Sequence, residues 1–502
     1  MNQKRRQFWP ISGPCSILLV LILALVVGSA SGQVTLLQLS TDPFTNTSAQ
    51  HATEVEPDTY AFGSTIVSAF QTGRISNGGS SDIGFATSTD GGVTWTHGWL
   101  PGITKFYKNG PYTAASDASV AYDAAHGKWL IGSIAVNNGT GVAVLASSSS
   151  DGLSWNNPVI VNNKSAFSDK SWITCDSNSG SPFYGHCYVE WEDAGIGDQV
   201  EMSTSTDGGQ TWSAAFKVTN AIGLGGQPLV QPNGTAVVPY FSLFGAIGVF
   251  SSSNGGSTWG NVKTISTVTS HAVAGNLRAA YQLPSADVDA AGTIYVVWWD
   301  CRFRSGCSSN DVVMSTSTDG KTWSAVSRVP IDAVTSTVDH FIAGLGVDHT
   351  TSGTTAHLAV TYYFYPVANC SPSTCNLSVG FVSSTDGGAT WTKKSLTGGM
   401  NTSWLPSTTL GQMVGDYIAT AYVDGKAFGM LAKAIAPSGG KFHESMFTPS
   451  GGLLEEAGPL LTSVGEQPVP DAHSDHGPPK FYDSEGRVPI PASEQNPPRE
   501  QD

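Results

Sequence analysis

Short runs rich in β-branched and aromatic residues recur along the chain, as in Thr65-Ile-Val-Ser-Ala-Phe70, Gly141-Val-Ala-Val-Leu-Ala146 and Thr293-Ile-Tyr-Val-Val-Trp298. Gly-rich turns bound them, and no helical period of apolar residues intervenes, so the pattern predicts strands throughout. After these runs comes one phrase, repeated six times: Ser88-Thr-Asp90-Gly-Gly-Val-Thr-Trp95, Ser149-Ser-Asp151-Gly-Leu-Ser-Trp155, Ser205-Thr-Asp207-Gly-Gly-Gln-Thr-Trp212, Ser252-Ser-Asn254-Gly-Gly-Ser-Thr-Trp259, Ser317-Thr-Asp319-Gly-Lys-Thr-Trp323 and Ser384-Thr-Asp386-Gly-Gly-Ala-Thr-Trp391. Asp-Gly supplies the positive φ of a tight hairpin, the Ser and Asp side chains can bond the turn's own amides, and the Trp can cover the hairpin. Repeats of this kind predict a radially repeated all-β fold.

A second register counts the units. Pro57-Asp58, Ser116-Asp117, Ser168-Asp169, Gly226-Gln227, Leu283-Pro284, Asp339-His340 and Gly415-Asp416 each introduce the innermost strand of a candidate unit. The last unit lacks the phrase; Met413–Val423, Lys426–Lys433 and Lys441–Thr448 supply three of its strands, and Val34–Leu39 the fourth. Seven units are favoured, with six the alternative.

The six phrases resemble the Asp box, or BNR repeat, of the sialidase superfamily. That resemblance implies a β-propeller in which each box joins the third and fourth strands of a blade, away from substrate. The box aspartates are therefore structural. Residues 33–449 form the expected Asp-box propeller, residues 1–32 a signal peptide, and residues 450–502, punctuated by proline, a disordered tail.

The signal-peptide reading rests on Lys4, Arg5 and Arg6 ahead of the apolar run Ile17–Gly28 and the small residues Ala30 to Gly32. It places the protein outside the cell, with no membrane span left after cleavage. The cysteines agree: beyond Cys15 they form three local pairs, Cys175 with Cys187, Cys301 with Cys307 and Cys370 with Cys375, at spacings that suit disulfides. Charged residues are only 13% of the 502, with 24 Lys and Arg against 39 Asp and Glu. A net charge of −15 excludes a nucleic-acid partner, because phosphate binding needs clustered cations. The histidines show no metal spacing, so neither a cofactor nor a metal is expected. Nothing in the sequence fixes the oligomeric state.

The resemblance also implies that Asp58, Asp117, Asp169, Gln227, Arg278, Asp339, His340, Asp416 and Tyr417 gather at one mouth of the central channel. Sialidase chemistry needs three arginines to hold a sugar carboxylate, an acid, and a tyrosine with its base. Arg74, Arg278 and Arg302 are the candidate clamp, with Arg304 as alternate. Asp117 or Asp169 is the candidate acid and Tyr417 the nucleophile. Glu190, which alternates with Glu192 on one face of Tyr188-Val-Glu-Trp-Glu-Asp193, is the base. Asp58, Gln227 and Asp416 would complete substrate binding. The plainer reading makes the aspartates caps of loop amides, Tyr417 a packed ring, and Arg302 a pin for Asp300. The expected function is a secreted sialidase-like glycoside hydrolase acting on glycans. The alternatives are a non-catalytic propeller that binds glycans or proteins, or a two-carboxylate enzyme acting on polysaccharide.

Overall fold

The computed structural model describes Met1, Gln7 and residues 34–454, 460–463 and 465–469. The expected signal peptide and most of the expected tail lie outside the described residues. Four-stranded antiparallel meanders follow one another along the chain. The first is Glu54–Phe62, Thr65–Arg74, Ser80–Ser88 and Thr96–Trp99. The second is Ala114–Asp123, Lys128–Asn137, Thr140–Ser149 and Val159–Asn162, and the third Ser168–Cys175, Cys187–Asp193, Gln199–Ser205 and Phe216–Leu224. Leu229–Val230, Ala236–Ser242, Ala246–Ser252 and Lys263–Thr267 make the fourth; Ser285–Val288, Ile294–Asp300, Asp311–Ser317 and Ser327–Arg328 make the fifth. The sixth is Asp339–Val347, Leu358–Tyr365, Asn376–Ser384 and Thr392–Asn401. Ala419–Val423, Lys426–Ala434 and Glu444–Pro449 are completed by Leu36–Gln38 from the other end of the chain, paired antiparallel with Glu444–Pro449.

The first strand of each meander packs beside that of the next, and Ala419–Val423 packs beside Glu54–Phe62. The sheets therefore stand radially around a channel, the arrangement of a β-propeller. Strands that face a sheet on either side have little room for charge, and Ser80–Ser88 and Asp339–Val347 are buried at every residue.

Two devices join one meander to the next. The first is the Asp box, which lies between third and fourth strands. In the first copy Asp90 Oδ1 accepts from the amides of Val93 and Thr94, Ser88 Oγ accepts from Gly92 N, and Trp95 Nε1 donates to Gly92 O at 3.2 Å. Each box also abuts the preceding meander: Gly152 lies against Val67, Gly209 against Leu130, Gly256 against Tyr188, Gly320 against Val237 and Gly388 against Met314. Gly92 closes the circle against Phe428 of the last meander.

The second device is a clasp between first strands. These strands have no ladder partner toward the channel, so their amides need acceptors. Asp58 Oδ2 accepts from Val120 N at 2.7 Å and Ser119 Oγ from Ile173 N at 3.0 Å. Gln227 Oε1 accepts from Ala286 N at 2.9 Å and Ser285 Oγ from Leu345 N at 3.0 Å.

Disulfides link Cys175 to Cys187, Cys301 to Cys307 and Cys370 to Cys375, the three local pairings expected. Part of the segment after residue 450 is bonded to the ring: Leu461 bridges Trp391, Arg328 pairs with Glu466 at 3.4 Å, and Val469 N donates to Arg302 O. No helix among the described residues is long and apolar enough to cross a membrane.

Gly92 has φ +83°, and a Cβ there would lie 2.2 Å from Phe428 Cε1. Gly92→Ala is expected to cost about 2–4 kcal/mol in urea unfolding, from backbone strain and overpacking together. Gly425→Ala, with φ +70° and open space around it, is expected to cost only about 1 kcal/mol.

Candidate functional site

At one end of the channel the first strands of four meanders share a distortion, an apolar one at Ile342 (φ 47°) between Phe341 and Ala343 and three that carry charge. The ladder slips between Val55 and Asp58, between Ser116 and Ser119, and between Asp169 and Trp172. Each of these three slips is a bulge whose first residue has positive φ: Glu56 (56°), Asp117 (51°) and Lys170 (48°). Such a backbone is strained for these residue types, and bulges re-aim side chains. Here they turn a Glu, an Asp and a Lys toward one another.

Lys170 Nζ lies 2.6 Å from Asp416 Oδ2, 3.2 Å from Glu56 Oε1 and 3.6 Å from Asp117 Oδ1. Arg278 takes Asp416 in both arms, Nε to Oδ1 at 2.8 Å and Nη2 to Oδ2 at 2.5 Å. Asp416 N donates to Glu56 Oε1 at 2.9 Å. Gln71 Nε2 donates to Glu56 Oε2, and Arg74 Nη1 donates to Gln71 Oε1. Three cations thus stand among three carboxylates, all removed from solvent except for a partly exposed Asp416. Arg74 and Arg278 are 0% and 1% exposed. Gly415 makes the approach possible, since a Cβ there would strike the Glu56 backbone at 2.9 Å. Arg278 arrives on the loop before the fifth meander, braced by Arg278 N bonded to Gln412 O.

The network draws together Asp117, Asp416, Arg278 and, through Gln71, Arg74, with Tyr417 beside them. It does not include Arg302, which holds Asp300 at 2.6 and 2.9 Å and reaches Ser266 and Thr267 O. The three-arginine clamp is not assembled. Arg304 is likewise engaged elsewhere, with Asp311 and Asp332. Asp58 and Gln227 serve as the clasps described above. Asp169 stands opposite Glu192 in the ladder, Glu190 opposite Trp172, and Gly226 lies directly over the Glu190 carboxyl.

Electrostatics separate these groups from the roles expected of them. The Tyr417 hydroxyl donates to Ala118 O at 3.1 Å. Burial, then the carboxylates of Glu56, Asp117, Asp58 and Asp416, push its pKa well above the ordinary phenol value, whereas a nucleophile needs the reverse. Burial also pushes Glu190 well above the carboxylate range, the direction of an acid and not of a base. Asp416 is held below the usual range by Arg278 and Lys170 against its burial.

Glu56 and Lys170 are the members that sequence reasoning missed. By sequence, Asp58, Asp117 and Asp169 look equivalent. By ladder register, Glu56, Asp117 and Lys170 are equivalent, and Asp58 matches Ser119 and Trp172. A lone Lys inside the acidic Ser168-Asp-Lys-Ser171 phrase is the available signal.

The other half of the channel is open. A cavity of about 1010 Å³ is lined by all seven first strands and the turns that follow six of them. Asp58, Asp176, Asp287, Asp289, Asp348 and Asp424 line it with His349 and His357, and neither Lys nor Arg does. His349 Nε2 lies 2.8 Å from Asp287, whose charge raises the histidine's pKa.

For a metal, Asp311, Asp332 and His340 have ligand atoms within 4.8 Å of one another. Arg304 and Arg328 already take both carboxylates at 2.5 to 2.8 Å. The donor set is filled by guanidinium and does not fit a cation.

The BNR repeat-like domain family matches residues 136–347, and boxes at Asp90 and Asp386 continue the pattern on both sides of that stretch. The match and the sheet order together make this a β-propeller with BNR-like repeats. Among solved structures it is similar to an ulvan lyase of polysaccharide lyase family PL25 bound to a GlcA–Rha3S unit (11% identity, 83% of this chain and 96% of that one, TM-score 0.48). It is similar to a protein of unknown function from Dyadobacter fermentans (15%, 70% and 100%, 0.44). The NanB sialidase of Streptococcus pneumoniae is a third (15%, 80% and 69%, 0.40). No curated protein matches.

Lys170→Met would leave Glu56, Asp117 and Asp416 short of a cation. It is expected to destabilise the chain by about 3–5 kcal/mol in chemical unfolding, against at most about 0.5 kcal/mol for the exposed Lys321→Met. Burial raises Glu54 to about 8 and Asp58 to about 7, and raises Glu56 as well. Such groups bind protons in the folded chain that the unfolded chain releases, so their stability is complete below about pH 4 and lost as pH rises toward 8. Asp90 and Asp319, lowered to about 2 by their turn hydrogen bonds, act oppositely as pH falls below 4. The melting temperature is expected to peak near about pH 4–5 and fall several degrees by pH 8; a maximum at or above pH 7 in scanning fluorimetry would contradict this.

Proposed function

We propose that this chain is a BNR-repeat propeller that binds neutral glycans in its open channel and does not carry out sialidase chemistry. One observation carries the reading: Asp416 fills both arms of the Arg278 fork, at 2.8 and 2.5 Å, the place a sugar carboxylate would take. An internal carboxylate on a buried arginine leaves nothing there to recruit an acidic sugar. The separate pairing of Arg302 with Asp300 and the Tyr417 bond to Ala118 O speak the same way.

The open channel has the opposite character. Its carboxylates and the Thr174 hydroxyl can bond sugar hydroxyls, Trp172, Tyr60 and Tyr422 offer ring faces, and its negative charge repels acidic sugars. This is the non-catalytic alternative that the sequence left open. The extracellular setting remains part of the proposal, supported by three disulfides.

Release of fluorophore from a 4-methylumbelliferyl sialoside is expected not to exceed a heat-killed control. Release that Tyr417→Phe abolishes would restore the sialidase reading. In calorimetry with maltohexaose, laminarihexaose, xylohexaose, mannohexaose and hexagalacturonate, at least one neutral hexasaccharide is expected to bind and the hexagalacturonate is not.

A further inference from the structure

The open channel narrows sharply toward the charge network. Trp172 and Gln227 line both the large cavity and a second one beneath it, which measures only about 20 Å³ and is otherwise walled by residues including Lys170, Asp416, Tyr417 and Trp299. That space suffices for about one water molecule. Below it stands the buried Glu56–Lys170–Asp416–Arg278 network. The cavity is therefore a well, with its mouth at turns such as Gly63, Ser179, His349 and Asp424, all exposed.

Trp172 is the odd member of the clasp register. Its equivalents Asp58 and Ser119 are buried and accept an amide from the next first strand. A tryptophan cannot accept that bond. Instead its ring meets Tyr417 edge-on, with centroids 5.0 Å apart and planes at 69°, and it is only half-buried. Where its equivalents join two meanders, Trp172 presents an aromatic ring to the bottom of the well.

We propose that Trp172 is the floor on which the terminal ring of a glycan stacks, so that the well takes chain ends and not chain interiors. This rests on the reading that neutral glycans bind in the channel. A pyranose offers an apolar face to the indole while its hydroxyls meet wall carboxylates such as Asp287. A polymer segment cannot pass the floor, so the chain must enter end-on.

The test uses the same neutral hexasaccharides and the parent polysaccharide of each that binds. Trp172→Leu keeps an apolar side chain but removes the ring, and is expected to weaken binding roughly tenfold, while Trp172→Phe stays within about threefold. Competition by the parent polysaccharide is expected to follow the molarity of its chain ends, so that per gram it competes far more weakly than the hexasaccharide. If a hexasaccharide binds but Trp172→Leu, folded by its melting curve, binds as well as wild type, the floor is wrong and the channel reading stands. Equal competition per gram overturns end-on entry in the same way. If no neutral hexasaccharide binds, the channel reading falls and this inference with it.

Discussion

Radial sheets create a problem that flat sheets do not have. Each first strand pairs with the second strand of its own meander on one edge and faces the channel on the other, where no strand completes the ladder. A buried amide without an acceptor costs about 1–3 kcal/mol, and the cost recurs at each unit. Asp58, Ser119, Gln227 and Ser285 meet it by reaching across to the next first strand. The clasps set how close the strands stand, and hence the width of the channel. The Asp boxes act farther out, each seated on the meander before it. Together they make a ring held by many small hydrogen bonds to backbone amides, few of which need a partner cation.

Where charge does enter, it is concentrated and balanced. Three bulges, two long loops and the end of the strand Thr65–Arg74 bring Glu56, Asp117, Asp416, Lys170, Arg278 and Arg74 to one end of the channel. Ion pairs this far from water contribute little net stability over an apolar plug, but removing one partner is costly because the others lose their counter-charge. The network holds three residues in a backbone region they would otherwise avoid. It also blocks one end of the channel, and that block makes the other end a candidate site.

The boxes were legible because their structure is local: Asp90 bonds amides a few residues on, and the Gly pair follows from the turn. The three disulfides were legible for the same reason of proximity. The strand from Leu36 to Gln38 was placed by counting strands in the last unit. The candidate site was only partly legible. Asp117, Asp416 and Arg278 do share one charge network. Glu56 and Lys170 were missed because a bulge is decided by the partners that hold it, and those partners come from distant meanders. An offset of two residues was enough to align Asp58 with Asp117 when the ladder aligns it with Ser119. Arg302 looked like a clamp member by type alone, and its bond to Asp300 two residues away was the local reading available.

The strand Leu36–Gln38 hydrogen-bonds Glu444–Pro449 inside one sheet, so the two outermost parts of the ring are one element. A chain emerging from its amino end can build its first six meanders in order, each stacking on the last. It cannot complete the final sheet until residue 449 is available to meet a strand made at the start. Until then Leu36 to Gln38 and Gly92 have no partner, and the ring stays an open arc with two raw edges. Closure thus joins residues some four hundred positions apart, and a chain cut short anywhere before that point lacks the lock and not merely a blade.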